Sequence, residues 1–199
     1  MIHKKKLILQ TTATSSWILI GVLISIVFHY PLIISSFNYY PGDEGDSRFV
    51  AFLLEHLFRW FNNNSTFISP SFFYPATGTL GFSDSHVLHA VVFSIIRIFE
   101  DSVLKSFSIS IFILNTFTYF SSFCFIRFAM KQNLFPSIVG ALIFSFNSAK
   151  LNQLNHIQLQ PLLLIPIISW MLILIHEKCV NDGYKKQVYI YSFFAITIF

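Results

Sequence analysis

An apolar stretch from Trp17 to Phe37, free of Asp, Glu, Lys and Arg, sets the first constraint on this chain. It has about the 20 residues that a helix needs to cross a bilayer, and Lys4, Lys5 and Lys6 stand before it. Basic residues ahead of an apolar run are a topology signal, because they favour the cytoplasmic side. A secretory leader is the competing reading. The residues that follow, Ser35, Ser36, Phe37, Asn38, Tyr39 and Tyr40, offer no Ala-x-Ala-like cleavage site, so the expectation is an uncleaved first span.

Composition extends this to the whole chain. Of its 199 residues 54% are hydrophobic and only 11% charged, with 25 Phe, more apolar surface than a soluble domain of that size could bury. A net charge of +4 would suggest nucleic acid in a soluble protein, but here Lys and Arg fall between apolar segments, where they read as topology signals, and no nucleic acid is expected. Cys124 and Cys179 make neither a disulfide framework nor a metal motif.

Further apolar segments run over Val103–Phe128, Leu134–Ser148, Ile157–Ile175 and Val188–Phe199. Val87–Phe99 is apolar but only about 13 residues long, the length of an interfacial or re-entrant helix rather than a span. Charge arbitrates. If this segment does not cross, Arg127, Lys131, Lys178, Lys185 and Lys186 share the side of the N-terminal lysines, as the positive-inside rule favours. Residues 38–102 then form one large external region, the link from Lys150 to His156 is also external, and the spans number five in all, Trp17–Phe37 included. The last span stops inside an apolar run, so residues 1–199 read as a single transmembrane domain that is the front part of a longer protein or of a truncated reading frame.

The external region opens with "PGDEGDSRF", residues 41–49, in which Asp43, Glu44 and Asp46 crowd together. As plain structure, Pro41-Gly42 turns the chain and Asp46 caps a helix over "SRFVAFLLEHLFRWF". In that helix Arg48, Glu55, His56 and Arg59 fall within about 100° of one another and the remainder is apolar, the pattern of a helix lying in the interface. Capping accounts for one carboxylate. The other two would repel unless a cation or proton chemistry compensates, so the turn is a candidate hard-cation site or general base. Downstream, Asp84, His86 and His89 form "DSHVLH", with the two histidines on one helix face; two histidines and an acid are too few for a metal alone. His156 lies in the external link before the fourth apolar segment. Asn63 and Asn64 head the sequons "NNS" and "NST".

The order of these features, "GDEGDSRF" (42–49), "FLLEHLFRWF" (52–61), "FFYPATGTLGFSDSHVLHA" (72–90) and "SFNSAKLNQLNHIQLQPLLLIPI" (145–167), resembles the N-terminal part of the GT-C superfamily of multi-span glycosyltransferases. The resemblance covers nearly the whole chain and rests on order and spacing more than on any one motif. It implies an all-α polytopic membrane protein, a GT-C-like helical bundle with a large first external loop containing interfacial helices. It also implies transfer of a sugar from a polyisoprenoid-phosphate carrier to a glycan, lipid or protein acceptor on the external face of the cell membrane. By the same resemblance an acid of the first loop is the general base, or holds a divalent metal ion that organises the donor phosphate. Carried over, the candidates are Asp46, then Asp43, then Glu44 for catalysis, with Asp43 and Asp46 the tentative metal ligands; Arg48 or Arg59 would meet a phosphate. Glu55, His56 and His156 complete the expected substrate-binding set, although Arg59 paired with Glu55 and a lone structural His156 are the plainer readings.

Two other classes compete. A lipid or polyisoprenoid transporter would carry ionisable groups within its spans, where this sequence has almost none. A non-catalytic membrane fragment is the third.

Overall fold

The computed structural model describes residues 16–84, 86–153, 156, 159 and 162–181. Among them there is helix and no strand. The helices are α1 (Ser16–Phe28), α2 (Tyr30–Ile34), α3 (Glu44–Phe61), α4 (Val87–Arg97), α5 (Val103–Cys124), α6 (Leu134–Ser145), α7 (Ser148–Asn152) and α8 (Leu164–Asn181). A π-helical turn, Phe125–Ala129, extends α5. With it α5 makes a continuous 27-residue helix, Val103–Ala129, long and apolar enough to cross a membrane. At 1.5 Å per residue it reaches about 40 Å, against about 30 Å of hydrocarbon.

The other expected spans differ in detail. Trp17–Phe37 is not one helix: α1 ends at Phe28, His29 turns, and α2 restarts with Pro31 in its first turn. Proline lacks the N–H that would continue the ladder, and its ring crowds the carbonyl four residues back, so a break just ahead of it is the low-energy outcome. The segment expected over Ile157–Ile175 is helical from Leu164 to Asn181. Pro166 sits in its first turn, where a missing N–H costs nothing. Leu134–Ser148 ends at Ser145, and Asn147 caps the separate α7 by accepting from the Lys150 N–H at 3.0 Å. Val188–Phe199 lies outside the described residues. The 11 residues of α4 reach about 16 Å, short of a crossing.

The chain divides into two compact units. One comprises the chain up to Gly21, Phe117–Ser145 and Leu162 onward; the other comprises Val22–Thr116 and Phe146–Pro161. In the first, Trp17 stacks on Phe123 with ring centroids 4.1 Å apart, and the Tyr119 hydroxyl donates to the Trp17 carbonyl at 3.0 Å. Phe128 stacks on Trp170 of α8.

In the second unit α3 and α4 pack together. Val50, Ala51, Leu53, Leu54 and Leu57 of α3 meet Ala90 and Phe93 of α4 and Phe107 and Ile111 of α5. This corrects the expectation for α3. The greater part of its apolar side is protein core rather than a face offered to lipid, and Phe49, Phe52, Trp60 and Phe61 are its exposed apolar residues. The apolar positions recur at helical spacing, and helix α4, apolar over most of its length, supplies a partner for them.

At Gly21 the helix α1 lies directly against the Tyr119 ring. A Cβ there would strike the Tyr119 ring at Cδ1 and Cε1, and that ring is fully buried and held by its hydroxyl bond. Gly21→Ala gains about 1 kcal/mol of helix propensity, whereas overpacking a fixed ring costs about 1–3 kcal/mol. The expected net result is a lower thermal unfolding midpoint in detergent; an equal or higher midpoint would show that the ring yields.

Candidate functional site

The acidic turn is built on the N-terminus of α3. The helix begins at Glu44, three residues earlier than expected, so Asp43 and not Asp46 is the N-cap. Its backbone is extended (φ −78°, ψ 132°) and its carboxylate accepts from the Asp46 N–H at 3.3 Å, which satisfies one of the free donors of the first turn. Ser47 Oγ donates to the Pro41 carbonyl, tying the turn to the helix. The backbone of Glu44 opens the helix. Arg48 sits over the Tyr40 ring, 5.9 Å from its centroid.

Released from capping, Asp46 is exposed and lines a cavity of about 230 Å³ with Phe49, Val50, Ser83, Asp84, His86 and His156. The cavity thus gathers two carboxylates and two imidazoles from three separated segments, all within the second unit. His86 holds a left-handed backbone, φ 45° and ψ 24°, at the residue before α4, a conformation unusual for a non-glycine and one that histidine adopts more readily than most. Burial pushes its imidazole below the usual range, and Asp84 pulls the other way.

His89 does not join it. Its Nε2 meets Ser110 Oγ at 2.7 Å, and because that hydroxyl donates to the Phe107 carbonyl at 2.6 Å, His89 is the donor of the pair. The ring stacks on Phe107 and is fully enclosed, and burial holds it to about 3, with His86 adding to the effect. It is a neutral core residue whose Nδ1 meets no hydrogen-bond donor. The expected sharing of one face by His86 and His89 fails because the chain enters α4 only at Val87, leaving His86 outside the helix.

Glu55, His56 and Arg59 line a second cavity of about 230 Å³, with Phe52, Asn64, Ser65, Ser69 and Ser71. Nine residues separate Asp46 from Glu55, which at 3.6 residues per turn places them about 180° apart around α3. The expected single set of acids, arginines and histidines is therefore two sets on opposite sides of one helix. Glu55 Oε2 receives Arg97 Nε at 3.0 Å and Oε1 receives Arg59 Nε at 3.4 Å. Arg97 also donates to the Glu100 carbonyl at 3.0 Å and lies over Phe58. His56 Nε2 lies 3.1 Å from the Phe67 carbonyl, a bond that fixes the loop after α3.

Among the described residues no three His, Cys, Asp or Glu side chains converge as a metal requires. Of the expected pair, Asp43 uses one carboxylate oxygen to accept from the Asp46 N–H.

One cluster was not anticipated. Lys150 Nζ donates to Asn115 Oδ1 at 2.9 Å, and Asn115 Nδ2 donates to His29 Nε2 at 3.1 Å. His29 Nδ1 in turn donates to the Ser25 carbonyl at 2.9 Å. Lys150, Asn115 and His29 are 5%, 1% and 6% exposed. His29 stands in the stretch Trp17–Phe37 and Asn115 in Val103–Phe128, each among other polar residues from which no spacing distinguishes it.

No protein-family model, curated protein or solved structure matches this chain.

Burial holds Lys150 down to about 8 from an ordinary 10.5. The folded chain therefore releases this proton first, and between those values the unfolded chain binds more protons, so stability rises with pH across the window. At 1.36 kcal/mol per unit the rise is on the order of 3 kcal/mol. Thermal unfolding of wild type and Lys150→Met across pH 7–11 should show a rise in the wild type that the variant lacks; parallel curves would place the ammonium in water.

Proposed function

We propose that this chain is part of a membrane glycosyltransferase of the GT-C type, multi-pass in the cell membrane, moving a sugar from a polyisoprenoid-phosphate carrier to an acceptor hydroxyl. The observation that carries the reading is the cavity in which Asp46 is joined by His156, more than a hundred residues away in the chain, together with Asp84 and His86. In support, α5 is a helix of membrane-crossing length that starts soon after the segment bearing this cavity.

The chemistry assigned to these residues is a single displacement. Asp46 accepts the proton of the acceptor hydroxyl, the hydroxyl oxygen forms a bond to the anomeric carbon, and the bond from that carbon to the carrier phosphate breaks with its electron pair leaving on the phosphate. Asp46 is exposed and faces the cavity, where an acceptor hydroxyl can reach it. His86 and His156 offer ring nitrogens that orient the sugar or acceptor hydroxyls, and Asp84 adds a second carboxylate to the lining. Arg59 lines the other cavity, paired with Glu55, and so takes no part in the step at Asp46.

A transporter for lipid or polyisoprenoid is the second reading, and the buried Lys150 and His29, linked through the Asn115 amide, favour it, since enclosed ionisable groups are expected along a transport path.

Purified protein supplied with polyprenyl-phosphate sugars should transfer the sugar. Asp46→Asn should lower the rate by about 10²–10⁴, the usual worth of a positioned base, while Asp101→Asn, in an exposed link, leaves it unchanged. Full activity of the Asp46 variant would remove the assignment. Carrier flipping without transfer would select the transporter.

A further inference from the structure

Helix α4 is built inside out. Its three polar side chains, His89, Ser94 and Arg97, all face the protein: His89 and Ser94 are buried, and Arg97, with 17% of its side chain exposed, is turned onto Glu55. Ala90 and Phe93 fill the same inner side in the core shared with α3 and α5. At 3.6 residues per turn Val87, Val91, Ile95 and Ile98 fall within about 80° of one another on the other side, and each of them is exposed. A surface helix in water carries its polar residues outward. Outward, α4 offers no side chain that can hydrogen-bond.

We propose that this stripe lies in the surface of a lipid bilayer, which makes α4 an interfacial helix with Val87, Val91, Ile95 and Ile98 against acyl chains. Val87 directly follows His86, a residue of the Asp46 cavity, so a substrate carried in the leaflet would meet that wall without leaving the membrane. Such a use rests on the reading given under Proposed function; the lipid contact itself does not.

What covers the stripe is set by what α4 is attached to. Helix α5 has membrane-crossing length, and its residues 106–126 carry no Asp, Glu, Lys or Arg. At 1.5 Å per residue they reach about 30 Å, one hydrocarbon thickness, and Lys105 and Arg127 close the stretch at its two ends. The corner between α4 and α5 is tied at the Lys105 end. There the Glu100 carbonyl accepts from Arg97 Nη1 at 3.0 Å and from Ser106 Oγ at 3.2 Å, and Glu100 Oε1 accepts from the Ser102 N–H at 2.9 Å. His89 bonds to Ser110 Oγ and stacks on Phe107. Helix α4 is thereby held beside the first turns of the uncharged stretch, where headgroups give way to acyl chains, the depth at which an apolar helix face settles in an interface.

The test uses the full chain in phosphatidylcholine nanodiscs, with Cys124 and Cys179 replaced by Ser and single nitroxide labels at Val87→Cys, Val91→Cys, Ile95→Cys and Ile98→Cys. Asn64→Cys, in the exposed loop after α3, is the water reference. Labels on the stripe should collide with oxygen and be shielded from a water-soluble nickel chelate, giving an oxygen-to-nickel ratio several-fold above that of the reference. A ratio equal to the reference would put the stripe in water and overturn the proposal. Low access to both reagents would also overturn it, because protein, from a second copy or from another segment of this chain, would then be the cover. The unsubstituted chain gives a second reading free of any folding defect: phosphatidylcholine with a diazirine in its acyl chain should, on irradiation, tag residues 87–98. Tags on α5 with none on 87–98 would overturn the contact. A lipid-facing stripe in a chain that transfers no sugar would keep the contact and remove only the function.

Discussion

An ammonium taken out of water costs several kcal/mol unless the protein returns most of its hydrogen bonds. The second unit accepts that cost at Lys150, and the segments around it are arranged so that it can be met. Asn115 stands on the buried side of α5, His29 stands where Pro31 interrupts the first apolar stretch, and Asn147 ends the chain's path out of α6 by capping the turn that carries Lys150. The break in the first helix is more than an irregularity. An unbroken helix through His29 would bind its backbone into a continuous ladder and leave less freedom to aim the ring at Asn115.

The other organising element is α3, whose two sides have separate duties. Its apolar positions close against α4 and α5, and only because that packing is complete can the helix present Asp46 on one side and Glu55, His56 and Arg59 on another without exposing its core. Glu55 shows how the same residue type differs by setting. It is enclosed between Arg97 and Arg59 and serves to join α3 to the end of α4, whereas Asp46 is exposed and has a cavity in front of it.

Much of this could be read before any coordinates. Among the described residues the long apolar stretch at Val103–Phe128 is the one helix of membrane-crossing length, and neither Gly nor Pro interrupts it; Asp46 and His156, both candidates from the sequence, line one cavity. Local chemistry misled at the cap: Asp43, Glu44 and Asp46 are all acceptable near a helix N-terminus, and the three-residue difference in where α3 starts depends on how Pro41 and Ser47 close the turn. Periodicity put Arg48, Glu55, His56 and Arg59 on one face, of which the last three line one cavity while Arg48 lies over Tyr40, and it gave no means of knowing that Arg97, 42 residues on, is the closer partner of Glu55. The meeting of His29, Asn115 and Lys150 was invisible for the same reason. Each is one polar residue whose partners are set by tertiary packing, and no spacing rule links positions 86 and 35 residues apart.

Helix α3 is a single uninterrupted run of 18 residues, and both cavities draw lining residues from it: Asp46 lines one, and Arg59, 13 positions and about 20 Å farther along the axis, lines the other. The helix is packed by its apolar positions into the core of its unit, so the spacing between the two recesses is built into α3 itself.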